Sequence, residues 1–311
     1  MIQFYLTEHN RMVKIPSFTE GCWINVISPT VDEISYLVDQ LQLDRDFVRA
    51  ALDEEESSRI ENEDDQTLVL VDIPFLTSED NDTVLYTTRP LGIIMTETNI
   101  VTISLQNNTV ISDFANGMIR NVQTQLKTRF LLRILLRGAT QYLTYLKQID
   151  KITSSLESKL DKSMKNRLLM QLLGLEKSLV YFSTSLKADE ITLEKILRGR
   201  IIKMYEEDQD LLEDVLIEVK QAIEMASIYS RTLSSTMDAF SSVINNNLNI
   251  VMKILTAVTV LLEIPNMVFS FYGMNIDGGL WMDRFQWAPL GIAILLTLIA
   301  AIILFKAKMF K

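Results

Sequence analysis

Residues 287–305, WAPLGIAILLTLIAAIILF, run without a single charge. A bilayer core takes about 20 residues of helix, so this stretch predicts a membrane span and dictates the surroundings in which the chain folds. Trp287 stands at one edge as an interfacial aromatic, and Lys306, Lys308 and Lys311 follow the other. A second span is predicted upstream at residues 250–272, and the 276–286 loop between the two carries Arg284 against Asp277 and Asp283. Basic residues collect on the cytoplasmic side. The expected topology is therefore a cell-membrane protein with both ends in the cytoplasm and a short external loop.

The upstream span is less clean. It contains Lys253, Thr256, Thr259, Glu263, Asn266, Ser270 and Pro265. Lys253 lies near the entrance and can snorkel, and Pro265 kinks a membrane helix without ending it. The other polar positions, 256, 259, 263, 266 and 270, alternate steps of three and four. The same register runs back through Met252, Asn249 and Asn245 to Asp238. A 3.5-residue period keeps one stripe facing one axis in a left-handed bundle. A carboxylate at mid-membrane costs at least ~2.5 kcal/mol if it meets lipid, so Glu263 is expected to face protein or water. Hydrogen bonding between packed helices would also account for Thr256 and Thr259. Glu263, Asn266 and Asn249 together point to a water-filled pore. Two crossings per chain give too few walls to enclose one, so several copies are expected to associate around the stripe.

The rest reads as an acidic soluble protein. The chain has 311 residues, a net charge of −10, one cysteine (Cys22) and one histidine (His9). That inventory excludes an intrachain disulfide and a Cys/His zinc centre, and the charge excludes nucleic acid as a partner. The N-terminus shows no signal-peptide pattern. Within residues 1–108, "MIQFYL", "CWINVI", "QTLVLVDIPF", "TVLYTTRPLGIIMT" and "IVTISL" predict strands. "SPTVDEISYLVDQLQL" predicts a helix capped by Ser28 or Thr30. Residues 109–200 are helical by periodicity, with breaks near 161–165 and 198–200. A long final helix is expected from about Ile201 through 249 into the membrane. The expected fold is thus an α+β membrane protein: an α/β cytoplasmic domain, a helical stalk and two C-terminal transmembrane helices. No phosphate-cradling loop, catalytic triad or dinucleotide fingerprint appears, and no enzyme activity is expected. "DEEESSRIENEDD" at 53–65 and "EEDQDLLED" at 206–214 are acidic clusters, readable as solvated surface or as oxygen ligands for Mg2+ or Ca2+.

"YGMN", Tyr272 to Asn275, between two C-terminal spans, and "NNNLNIVMKILT" at 245–256 resemble the signature and the stalk-to-membrane junction of the CorA magnesium transporters. The resemblance extends over the whole chain in layout. It implies a homopentamer with the first span lining the pore, and an external ring of Tyr272, Gly273, Met274 and Asn275 that meets hydrated Mg2+. Mg2+ sheds water reluctantly, so neutral carbonyl and amide oxygens can hold it through its waters and still release it. On this resemblance Asn275 is the first selectivity ligand and Gly273 supplies a tight turn. Asn266 and Asn249 match polar rings, Asp238 an acidic inner ring, and Met252 with Leu255 or Thr256 a narrow, partly apolar gate. Asp214 matches a carboxylate that binds cytoplasmic Mg2+ between subunits and holds the pore closed, with Asp53 and Glu56 as its expected partners. Co2+ or Ni2+ are further expected passengers.

Glu263 departs from the family, whose members carry an apolar or small polar residue there. Five such carboxylates round one axis repel, and a bound cation or a proton would offset this. Two other readings stand beside the Mg2+ channel. One is a ZntB-like zinc transporter, although that branch has Gly-Ile-Asn where this chain has Gly273-Met274-Asn275. The other is a membrane-anchored scaffold or sensor without transport.

Overall fold

The computed structural model describes residues 1–9, 11–79, 83–157, 165–199, 201–274 and 287–307. Asn275, the 276–286 loop with Asp277 and Asp283, Lys308, Lys311 and residues 161–164 of the break expected at 161–165 lie outside the described residues. Two compact units are present, Met1–Ser235 and Thr236–Lys311.

The first unit is built on one seven-stranded sheet of order β2-β1-β3-β7-β6-β5-β4. The strands are β1 (Ile2–Glu8), β2 (Arg11–Ile15), β3 (Trp23–Ile27), β4 (Arg59–Glu63), β5 (Gln66–Glu79), β6 (Thr83–Met95) and β7 (Ile100–Ser104). Only β3 and β7 run parallel; the other five pairings are antiparallel. β3 is buried on both faces, and its alternation sorts side chains between two layers. Cys22, Ile24 and Val26 join Leu68, Leu70, Ile94, Val101 and Ile103 beneath α1 (Val31–Asp39) and α2 (Arg45–Ala50). Trp23 points the other way. Its ring meets Phe130 edge-on at 5.3 Å and its indole N–H donates to Thr102 Oγ1 at 2.9 Å. That second face is covered by α4 (Lys127–Glu157) and α5 (Lys165–Gly199), with short α3 (Thr109–Ala115) beside α4. Helices thus lie on both faces of the sheet.

Two strands went unforeseen. β2 and β4 are the two edges, and their sequences, RMVKI and RIENE, carry the charges that protect an open edge from pairing with another chain. The acidic stretch at 53–65 is therefore largely a turn followed by a charged edge strand. Arg59 binds Glu56 at 2.5 Å and Glu61 at 3.1 Å, and Arg89 pairs with Glu54. Thr30, not Ser28, caps α1, in a reciprocal capping box with Glu33.

The sheet comes close to the end of α2 at Gly92 on β6. A Cβ there would clash with Ala51 Cβ and come 3.2 Å from Ala51 Cα. Gly92→Ala is accordingly expected to cost about 1–3 kcal/mol through overpacking, read as a lowered unfolding midpoint. The pairing of β6 with β5 and β7 should survive, since its bonds are made by the backbone.

The final long helix, α6, spans Glu206–Tyr272, and α7 spans Ala288–Lys306. α6 begins at Glu206 rather than near Ile201, and its first turn holds Glu206, Glu207 and Asp208. Acidic groups at a helix start meet the unpaired backbone N–H groups and the positive end of the dipole. Asp208 Oδ2 accepts from Tyr205 N–H at 3.2 Å, while Arg129 binds Asp208 at 3.3 Å and Glu207 at 2.5 Å. Half of the 206–214 cluster thus has a structural task. Pro265 sits inside α6 without ending it.

Candidate functional site

Both α6 and α7 contain stretches long and apolar enough to cross a membrane. Within residues 250–272 and 287–307 only Ala257 and Ala293 are buried. Small residues of this kind let helix backbones approach. Beside them the helices share an apolar groove of about 610 Å3, lined by Ile264, Val268 and Phe271 of α6 and by Leu296, Ile299 and Ile303 of α7. At 100° per residue this face of α6 lies roughly 110° round the helix from Glu263.

The polar stripe lies on a different face. Asp238, Asn245, Asn249, Met252, Leu255, Thr256, Thr259, Glu263, Asn266 and Ser270 are all exposed. α7 therefore covers apolar surface and leaves the stripe uncovered. Met252 and Leu255, each 58% exposed, interrupt it with apolar side chains.

The stripe's polar groups differ in how far they are satisfied. Thr256 Oγ1 donates to the Met252 carbonyl at 2.8 Å, and Thr259 Oγ1 to the Leu255 carbonyl at 2.9 Å. Both hydroxyl protons are therefore used within the helix, as membrane threonines can do. Among the described residues, Glu263 receives only the amide of Asn266, at 3.4 Å. No basic side chain pairs with it among the described residues.

At the end of α6, Tyr272 is half-buried, and Gly273 and Met274 are exposed. Gly273 N–H still bonds the Phe269 carbonyl at 2.9 Å. Its φ is not left-handed, and a Cβ would sit 3.2 Å from that carbonyl. Gly273 lies in the turn that follows α6, as expected, and a close approach to the last helical turn rather than a positive φ favours glycine there. Asn275, the expected ligand, lies outside the described residues.

The three carboxylates expected to regulate are not brought together within one chain. Asp214 is an exposed residue of α6. Asp53 Oδ1 accepts from Glu55 N–H at 3.0 Å, and Glu56 is held by Arg59. No group of three or more His, Cys, Asp or Glu suited to a metal occurs among the described residues.

A buried polar network in the first unit was missed from sequence. Asp189 of α5 accepts from Ser58 Oγ at 2.8 Å and from Asp72 N–H at 3.0 Å. Ser185 Oγ donates to Asp72 Oδ2 at 2.5 Å. Burial, and then the charge of Asp72, push the Asp189 carboxyl well above the usual carboxylate range. Burial also raises Asp72, against the lowering effect of Ser185. The available signal was register: Phe182, Leu186, Asp189, Leu193 and Ile196 follow the 3–4 spacing of a buried stripe.

Comparison with known proteins agrees with this architecture. A curated relative, the cobalt/magnesium transport protein CorA of Methanocaldococcus jannaschii, is 29% identical over 303 residues, covering 93% of this chain and 89% of its own. The complete structure of the CorA magnesium transporter from that organism superposes with a TM-score of 0.81 at 24% identity, over 99% of this chain and 96% of the other. The ZntB cytoplasmic domain from Vibrio parahaemolyticus shares the fold at 9% identity and a TM-score of 0.61, over 78% of this chain and 98% of that domain. The profile of the CorA-like Mg2+ transporter protein family matches residues 19–307, and the chain belongs to that family.

Proposed function

We propose that this chain is one subunit of a homopentameric channel that admits Mg2+ into the cell down its electrochemical gradient. The observation that carries the reading is the exposed polar stripe of α6 inside an otherwise apolar span. Lipid would penalise such a face, whereas the axis of a bundle would use it. Its groups are neutral or acidic oxygens, which suit a hard divalent cation. The curated relative is a cobalt/magnesium transport protein, which supports Co2+ as a further passenger beside Mg2+.

In this scheme the turn after Tyr272 holds hydrated Mg2+ at the outer mouth through Asn275. Asn266, Asn249 and Asp238 pass it inward, and Met252 and Leu255 form a constriction that closes by dewetting. Both termini lie in the cytoplasm, as Lys306 at the end of α7 supports. Asp214 meets Asp53 and Glu56 of a neighbouring subunit through Mg2+ when the internal concentration is high, which holds the ring closed. When internal Mg2+ falls, repulsion among these carboxylates loosens the ring.

The test is Mg2+ uptake into proteoliposomes under an imposed gradient. Wild type should carry Mg2+ in preference to Zn2+, and Asn275→Ala should lose most of the influx. Preference for Zn2+ would move the chain to the zinc-transporting branch. Absence of any divalent flux in wild type would leave a scaffold or sensor.

A further inference from the structure

We propose that Glu263, positioned by Asn266, is a divalent-cation ligand inside the membrane span and sets how tightly the pathway holds its ion. The inference rests on the pore reading above and adds a coordinating position separate from the outer turn. Glu263 is eleven residues before Met274, so it lies roughly 16 Å further in along α6. It is the one carboxylate of residues 254–274.

Three observations converge on it. First, Glu263 is exposed on the face that α7 leaves uncovered, away from the apolar groove. Second, its neighbours on the stripe need no partner: Thr256 and Thr259 have spent their hydroxyl protons on the carbonyls of Met252 and Leu255. Glu263 has only a neutral amide, and no cation answers its charge among the described residues. Third, that amide fixes the arrangement of oxygens. The Asn266 side chain donates to Glu263 Oε2, and among the described residues no donor meets Glu263 Oε1 or Asn266 Oδ1. Repeated by symmetry around an axis, these form a layer of carboxylate and amide oxygens, with the second N–H of each Asn266 amide left to water. Such a layer suits Mg2+ and similar hard cations. Because its members are partly charged, it holds the ion more tightly than a ring of neutral carbonyls would.

The full-length protein, reconstituted in liposomes with a Mg2+-sensitive dye, tests this. Glu263→Gln keeps the shape and removes the charge. It removes the carboxylate from every subunit of the ring and should raise the half-saturating external Mg2+ concentration by at least about tenfold, the loss of one or more charge-assisted contacts to the ion, while flux at saturating Mg2+ persists. Glu263→Asp keeps the charge but withdraws it by one methylene, and should give an intermediate shift. If wild type conducts and both variants retain its half-saturation, Glu263 is no ligand, although the pore stands. If Glu263→Gln changes only the pH dependence of flux, the site takes a proton and the proposal fails. A wild type that carries no divalent cation would overturn the pore reading itself. Should Glu263→Gln not assemble, Glu263→Asp alone decides, since an unshifted half-saturation there is incompatible with a ligand.

Discussion

Replacing Asp189 by alanine is expected to lower the unfolding free energy of the first unit by about 2–4 kcal/mol. The cause is the loss of an acceptor that serves both Ser58 Oγ and the Asp72 N–H, each unmet donor costing about 1–3 kcal/mol. Asp189→Asn retains an oxygen for both and should be far milder. The two variants separate hydrogen bonding from charge, and pH separates them further. Burial raises the carboxyls of Asp189 and Asp72, so the folded chain holds their protons to higher pH than the unfolded chain, which releases them near pH 3.9. Below that pH both states are protonated, and the contribution of these groups to stability is fully present. As pH rises, the unfolded state binds fewer protons than the folded one, so stability falls. The fall continues until the folded-state carboxyls ionise. Thermal melts of full-length protein from pH 4 to 8 should therefore slope downward through this contribution, and Asp189→Asn should flatten the slope. An unchanged slope would mean that the pair is ionised in the fold.

Leucine at both Asn249 and Asn266 is expected to reduce Mg2+ flux by more than about tenfold while the protein inserts and assembles normally. Leucine is welcome in a membrane helix, and both asparagines are exposed on a face that α7 does not touch, so neither replacement disturbs the packing between the spans. What the change removes is polar lining. The constriction at Met252 and Leu255 would then extend in both directions along the stripe, and a longer apolar channel wets less readily. Unaltered flux in a correctly assembled variant would place the stripe outside the ion's route. Met267→Leu, off the stripe, serves as the control and should conduct as wild type does.

The elements that sequence alone revealed were those with one dominant period. Five strands with runs of β-branched and aromatic residues, the Thr30-capped helix, and the two apolar spans were readable because burial imposes alternation or continuity on them. The edge strands β2 and β4 were not: β2 (RMVKI) puts a basic residue on each face, and β4 (RIENE) has a single apolar residue, Ile60, among polar ones. The stripe of α6 was readable because polar residues are conspicuous against an apolar background. In α5 the contrast is reversed. Asp189 stands among Lys187, Glu190 and Glu194 and resembles a solvated face, and only its place in the buried register marks it. The turn at Gly273 was legible, but not whether glycine serves it through close approach or through a left-handed φ, since composition does not separate the two.

The single parallel pairing at the centre of the sheet bears on how the chain is made. Trp23 and Ile100 lie side by side in β3 and β7, so the two halves of the sheet cannot join until the strand ending at Ser104 has left the ribosome. From there, about 150 further residues must be synthesised before Ile254 follows, which takes roughly 7–30 s at 5–20 residues per second. Sheets of mixed topology close within milliseconds to seconds. The central strands can thus find each other, and shield their apolar faces, before the first greasy helix emerges to compete for them or for the translocation machinery.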